Sequence, residues 1–251
     1  MKNLITYFLF FFFGNLLFAQ QIVHIENRRL AADKQGWSGD ININMSFIQN
    51  QNDIFIMNNN LKIQYTQDKH SVISLTENNF QRVNKTGFVN DGFQHFRYNY
   101  KYTENITYEA FQQFQFNDVL KMKFRSLTGT GPRFTVVKND STKTRLFIGM
   151  LYMYEYEEET TGKINRAHRN SNYISFGFPI GKNITIDMIT YYQPDIFNFS
   201  DYRFSAQGIL EIRLTEKLSY LLSLNYIHDA VPPQGIRSTY YNFRNGLRYR
   251  F

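Results

Sequence analysis

Residues 238–251, STYYNFRNGLRYRF, decide the fold, because two kinds of side chain alternate along this stretch. One set is apolar and mostly aromatic, and it contains Tyr241, Phe243, Leu247, Tyr249 and Phe251. Asn245 alone breaks this set. The set between them is mostly polar or small, and it contains Tyr240, Asn242, Arg244, Gly246, Arg248 and Arg250. A period of two residues is the pattern of a β-strand with one apolar and one polar face. We therefore predict that the sequence ends in a two-faced strand.

The same period of two occurs in eleven earlier segments. Between residues 96 and 102, for example, aromatic side chains alternate with Arg97, Asn99 and Lys101. The twelve predicted strands are 36–50, 53–68, 70–82, 92–103, 106–117, 121–137, 143–157, 168–180, 183–194, 201–214, 217–229 and 238–251. The sequence therefore predicts an all-β fold of twelve antiparallel strands in one domain, residues 36–251.

The predicted connections alternate in length. Short turns at 103–105, 181–183 and 215–217 alternate with longer polar connections, which we predict at 82–92, 158–167, 193–200 and 229–237. Outer-membrane β-barrels have short periplasmic turns and longer extracellular loops. Lipid offers no partner to an exposed strand edge, so such a sheet must close. We predict a transmembrane outer-membrane β-barrel with both termini in the periplasm, whose last strand pairs with the strand that begins near Gly36.

The N-terminal segment supports export. Lys2 precedes an almost wholly apolar run over residues 4–18, and small Ala19 follows. The run of about fifteen residues is shorter than the roughly 20 that a membrane-spanning helix needs. We therefore interpret residues 1–19 as a cleavable signal peptide, with a membrane anchor as the alternative. Residues 20–35 are polar and are predicted to form a short periplasmic leader.

Composition narrows the classes of partner. The net charge is +7 and the aromatic fraction is 18%, with no cysteine in the chain. Aromatic girdles at the two membrane interfaces explain so many aromatic residues. The basic residues are spread over many segments of an exported chain, which disfavours nucleic acid as a partner. The predicted partners are outer-membrane lipid and the outer-membrane assembly machinery, with Tyr249 and Phe251 as the C-terminal insertion signal.

Most strand arginines share the polar face of their strand, which in a barrel faces the lumen. The predicted lumen-lining set is Arg97, Arg125, Arg133, Asp187, Arg203, Glu211, Arg213, Arg244 and Arg248. A basic lining favours anions in a narrow pore. The alternative is a sealed interior, in which Asp187, Glu109, Glu155 and Glu211 pair with these arginines. The sequence leaves both interpretations open.

The sequence gives little support for a catalytic site or a metal site. Barrel hydrolases resemble one another in a His-x-Ser on one strand, where both side chains share a face. None of the five histidines (His24, His70, His95, His168 and His228) has serine two positions later. The acidic run Glu155, Glu157, Glu158 and Glu159 is interpreted as solvated charge rather than a calcium site. We therefore predict no enzyme activity, no cofactor and no metal.

Three stretches carry a family resemblance: IVHIE at 22–26, GWSGDININ at 36–44 and FRSLTGTGPRF at 124–134. The chain resembles an uncharacterised outer-membrane β-barrel family that includes proteins described as salt-induced outer-membrane proteins, in a Bacteroidetes form. The resemblance covers almost the whole chain after residue 20. It implies a small outer-membrane barrel, and it supplies no activity and no catalytic residues. Pro132 departs from the pattern, because proline cannot donate a ladder hydrogen bond.

Three functions remain open at this point. The first is a passive role in envelope permeability or osmotic and salt adaptation, as a narrow pore with a basic lumen. The second is a closed barrel with a structural or surface-interaction role. The third and least supported is a membrane-embedded lipid hydrolase.

Overall fold

The computed structural model describes residues 35–49, 52–84, 86–139 and 141–249, except for the side chains of 86–88 and 248. Every helix or strand in these residues is a β-strand, so the predicted all-β fold of twelve antiparallel strands is confirmed. The strands are β1 Gly36–Gln49, β2 Asp53–Gln67, β3 His70–Val83, β4 Thr86–Lys101, β5 Ile106–Asn117, β6 Met122–Asn139, β7 Thr144–Glu159, β8 Ile164–Ile180, β9 Ile184–Pro194, β10 Tyr202–Arg213, β11 Leu218–Asp229 and β12 Thr239–Tyr249. No helix in the described part is long and apolar enough to span a membrane.

The strands form one sheet in chain order, and each pairs antiparallel with the next. One end, which we call the loop end, carries the two longest connections, at 195–201 and 230–238. The opposite turn end has only short connections, such as 68–69 and 181–183. Asp68, with a φ of 52°, sits in a left-handed conformation that closes one of these turns. Short turns at one end and longer loops at the other match the predicted alternation in part.

Two predicted loops are wrong, because strands occupy most of their length. The 82–92 loop reduces to a turn between Val83 and Thr86, where Asn84 takes a positive φ of 54°. Asp91 belongs to β4, where it accepts a 2.9 Å hydrogen bond from Asn79 on β3. The 158–167 loop likewise reduces to residues 160–163. Polar residues can form strands here because their side chains hydrogen-bond to residues on the neighbouring strand. The amino-acid composition of the segment does not reveal such partners.

The sheet curls around a common interior. Residues from β4 through β12 line a single cavity, and Lys121 at the β5–β6 turn donates to the Gln234 carbonyl in the β11–β12 loop at 2.9 Å. Along β7, inward Leu151 is 2% exposed, whereas outward Met150 is 52% exposed. Alternate residues therefore pack inside the barrel or face outward, as the period of two requires.

The pairing that would close the barrel is absent from the described residues. β12 pairs with β11, β1 pairs with β2, and the register contains no β1–β12 pair. Nearly every side chain of β1 is exposed, including Asn42 and Ile43 on opposite faces. The predicted pairing of the last strand with the strand beginning at Gly36 is therefore not present in this sheet, whose two edges remain unpaired here.

The outer face is not uniformly apolar. On β3 and β4, Thr76 donates to Gln94 at 2.5 Å, and Gln94 donates to Ser74 at 3.0 Å. On β5 and β6, Gln112 pairs in the same way with Ser126 and Thr128. These side chains satisfy one another, which lowers the cost of placing polar groups on an apolar surface.

Candidate functional site

Glu155 lies at the centre of a group of charged side chains inside the barrel. It faces inward from β7, and its side chain is 3% exposed. Arg169 of β8 donates to it at 2.6 Å, and Arg203 of β10 donates to its other oxygen. Arg125 of β6 lies 3.8 Å away. One carboxylate therefore gathers arginines from three strands, including one that lies three strands away in the sheet.

Two of these arginines also reach the loop end. Arg169 lies 2.9 Å from Asp201 in the β9–β10 connection. Arg203 lies 2.8 Å from Asp229 at the end of β11, and 3.1 Å from Glu157. The network therefore fastens the loop-end connections to the interior of the barrel. We call these seven residues the loop-end charge network: Arg125, Glu155, Glu157, Arg169, Asp201, Arg203 and Asp229.

A second cluster surrounds Glu109, nearer the turn end. Arg97 of β4 donates to Glu109 at 3.0 Å, and Arg133 of β6 lies 3.2 Å from its other oxygen. Tyr173 of β8 donates to the same carboxylate at 3.0 Å. Arg97 also lies 5.5 Å from the centre of the Phe111 ring, a cation–π distance. Ionic and aromatic contacts together fill this level of the barrel.

A glycine on β7 makes room for Tyr173. Gly149 lies opposite Tyr173 in the register, and a Cβ at position 149 would overlap the tyrosine ring. The ring therefore occupies the space beside Gly149, and its hydroxyl reaches Glu109 on β5. Tyr173 also packs with Leu151 and Ile189 in an apolar cluster. A missing side chain on one strand thus permits a contact between two others.

We expect Gly149→Ala to lower the free energy of unfolding by about 1–3 kcal/mol, because the buried tyrosine ring has to move. The measurement is the urea midpoint of the refolded protein. Gly208→Ala is the matched control, since no atom lies within 4 Å of the added Cβ. Equal midpoints for the two variants would contradict the proposed role of Gly149.

The arginines of these clusters are matched by carboxylates. The ion pair between Arg145 and Asp187, at 2.6 Å, lies apart from the two clusters. Together, these ion pairs join six arginines to six carboxylates. Buried charges are tolerated when they are paired and hydrogen-bonded. The charge of these six arginines is therefore compensated by carboxylates inside the barrel.

The predicted lumen set divides into two groups. Arg97, Arg125, Arg133, Asp187 and Arg203 belong to the ion pairs just described. Four others lie elsewhere: Glu211 is half-buried on β10, Arg213 and Arg244 are exposed, and the side chain of Arg248 lies outside the described residues. Of the predicted insertion signal, Tyr249 is exposed at the end of β12 and Phe251 lies outside the described residues.

Sequence reasoning missed two arginines and most of the apolar interior. Arg169 and Arg145 pair inside the barrel, and their parity on β8 and β7 could have revealed them. Leu151 and Met153 also face inward, although a lumen face is expected to be polar. Both residues lie an even number of positions from Glu155 on β7, so they share its inward face. This relation is hard to see in the sequence, because the opposite face of the strand is apolar as well.

A cavity lies between the loop-end charge network and the β11–β12 connection. Its volume is about 150 Å³. Apolar parts of the wall come from Leu127, Met153, Ile227 and the Pro232–Pro233 pair. Its charged residues are four arginines and two acids: Arg97, Arg125, Arg203, Arg237, Glu157 and Asp229. The cavity reaches the surface beside the exposed residues Arg237 and Ser238. It therefore combines an apolar wall with guanidinium groups at the loop end.

The histidines form no hydrolytic pair in the described part of the chain. His168 contacts the Tyr152 hydroxyl at 2.5 Å, and His70 contacts the Tyr98 hydroxyl at 2.7 Å. His95 is buried against Gln113, and His228 contacts Thr239. His24 lies outside the described residues. The acidic run also divides: Glu155, Glu157 and Glu159 are buried, whereas Glu158 pairs with exposed Lys123.

Fold and interior define a class: a twelve-stranded antiparallel barrel filled by paired charges. Residues 50–251 match the family described as "Protein of unknown function, DUF481", so the chain belongs to the DUF481 family. The salt-induced name and the Bacteroidetes type remain predictions.

Two solved structures are similar to the chain. The NanC porin has a TM-score of 0.46 and 13% identity, and the match covers 85% of this chain and 100% of that chain. The translocator domain of the autotransporter NalP from Neisseria meningitidis has a TM-score of 0.32 and 11% identity, with 90% and 95% covered. No curated protein matches. Similarities at this level carry no functional inference.

Proposed function

We propose that the protein is an outer-membrane β-barrel with a closed interior, and that its role is structural or binding rather than conducting. The outward stripes support a lipid-facing surface: Leu224, Tyr241 and Phe243 are exposed large apolar residues on β11 and β12. In water such a surface would be costly, whereas lipid accommodates it. Outer-membrane lipid and the assembly machinery are the partners that this proposal requires.

The observation that carries the closed interior is the burial of inward side chains. A side chain that lines a water-filled lumen is exposed to that water. Twelve inward residues on seven strands are at most 2% exposed: Gln64, Ile73, Leu75, Glu77, His95, Glu109, Leu151, Met153, Glu155, Glu157, Tyr173 and Ile189. These levels of the barrel are therefore packed like a protein core.

The pairing of the inward arginines argues against a narrow basic pore. A pore that favours anions needs cations presented to the solute. Arg97 and Arg133 instead share Glu109, and Arg169 and Arg203 share Glu155. A role in permeability or in salt adaptation, and the absence of enzyme activity, remain predictions.

Planar-bilayer recording tests the closed barrel. We expect no steady conductance from the refolded full-length protein in potassium chloride, at any salt concentration or holding voltage, because the packed interior admits no continuous water column. Resistance of lipid-reconstituted protein to added protease establishes that the barrel has inserted. Stable unitary conductance from inserted protein would overturn the proposal and restore the narrow pore.

A further inference from the structure

We infer that the loop-end cavity binds a small organic monoanion, a carboxylate with a compact aromatic or short aliphatic body. This inference deepens the proposed function and rests on it, because a closed interior retains the ligand at the loop end. Size, wall chemistry and charge each contribute a separate constraint.

Size limits the body of the ligand. The cavity volume is about 150 Å³. An apolar protein cavity of about 150 Å³ accommodates benzene. The apolar parts of the wall, from Leu127, Met153, Ile227 and the Pro232–Pro233 pair, suit an aromatic ring or a short alkyl chain. The ligand is therefore close to benzene in the size of its apolar part.

Charge selects an anion. The nearest acids of Arg125 are distant, at 3.5 Å for Glu157 and 3.8 Å for Glu155, and its close hydrogen bond, 2.8 Å from Nε, goes to the neutral side-chain oxygen of Gln115. Direct hydrogen bonds between a guanidinium and a carboxylate are shorter, about 2.7–2.9 Å. Arg237 is exposed and forms no ion pair with a described residue. These two guanidinium groups can therefore accept a ligand carboxylate without breaking a close ion pair.

The loop-end charge network holds Arg203 more closely than Arg125. Arg203 is held by Glu155, Glu157 and Asp229, and its side chain is 16% exposed. Glu155 retains Arg169 and Arg203 if Arg125 turns toward a ligand. Arg125 can thus change partner while Glu155 keeps both of its close ion pairs. It is the residue that we assign to carboxylate binding.

Isothermal titration calorimetry on the refolded full-length protein, with benzoate and with the neutral benzamide, tests the site. We expect benzoate to bind at least tenfold more tightly than benzamide. Arg125→Met should weaken benzoate binding at least tenfold and leave benzamide binding unchanged. Arg145→Met is the matched control, because this interior arginine lies outside the cavity and pairs with Asp187, and it should leave benzoate binding intact.

A second variant keeps every charge. Ser205 is buried on the cavity wall, so Ser205→Leu should fill the space and abolish binding of both compounds. Three results would overturn the site: no benzoate binding to folded protein, equal binding of benzamide, or an equal loss in Arg145→Met. The bilayer recording separates the two proposals. Conductance together with intact benzoate binding would contradict only the closed barrel. Absence of conductance together with absence of benzoate binding would contradict only the binding site.

Discussion

Glu155→Ala should lower the free energy of unfolding by about 3–5 kcal/mol, the largest effect that we expect from a single substitution in this chain. The carboxylate is 3% exposed and compensates arginines from β6, β8 and β10. Without it, Arg169 and Arg203 keep ion pairs with Asp201, Asp229 and Glu157, and Arg169 keeps a 3.1 Å hydrogen bond to the Gln193 carbonyl. Removing one partner of a buried ionic group leaves the others charged in a medium that solvates them poorly.

Urea unfolding of the refolded protein, followed by circular dichroism, measures this effect. Glu158→Ala is the control, three positions along the same strand. Glu158 is 25% exposed and pairs with Lys123, which is 62% exposed, so its removal should cost at most about 1 kcal/mol. A Glu155→Ala midpoint equal to that of Glu158→Ala would show that the loop-end charge network does not stabilise the barrel.

The alternation of side chains predicted the number of strands and their faces well. β5 begins at Ile106 and ends at Asn117, and both bounds were predicted from alternation alone. This success has a physical cause: in a curled sheet every strand has an inside and an outside, so burial repeats every second residue. The same alternation placed four arginines on the lumen face, where each lies within 4 Å of a carboxylate in the structure: Arg97, Arg125, Arg133 and Arg203.

Tertiary contacts were beyond the reach of the sequence. Whether Arg203 pairs with Glu155 depends on curvature, because β10 and β7 are not neighbours in the sheet. Likewise, Asp91 lies opposite Asn79 in the register and accepts a hydrogen bond from it, a contact between two strands that the local sequence does not predict. The cavity is a stronger case: it depends on how the β11–β12 connection folds back toward Lys121, and no local pattern encodes that contact.

The unpaired edges of β1 and β12 are the feature of the fold that a membrane would not tolerate. A strand edge in hydrocarbon leaves backbone N–H and C=O groups without partners, at several kcal/mol for each group. β1 has fourteen residues, so an open edge of this length is far too costly for a protein in lipid. If the protein is an outer-membrane barrel, β1 and β12 must pair there.

We therefore expect a disulfide to form between β1 and β12 in lipid vesicles. The chain has no cysteine, so paired substitutions give an unambiguous signal. Ile43→Cys on the outward side of β1 is combined in turn with cysteine at Tyr241, Phe243, Asn245 or Leu247 of β12. Directly opposed residues have Cβ atoms about 4.5–5.5 Å apart, with the non-hydrogen-bonded pairs closest, and a disulfide has Cβ atoms about 3.5–4.5 Å apart. The register that places cysteine directly opposite Ile43 should therefore give most of the cross-linked product.

Cross-linking is read as a shift in gel mobility and a loss of free thiol after mild oxidation. Ile43→Cys with Thr128→Cys is the control, because β6 lies mid-sheet and Thr128 is paired on both sides, with Gln112 and Tyr154, so it should stay reduced. Failure of all four β12 positions to cross-link in vesicles would contradict closure and, with it, residence of these strands in lipid. Cross-linking at one position defines the missing register, because a period of two allows only alternate residues to share the outward face.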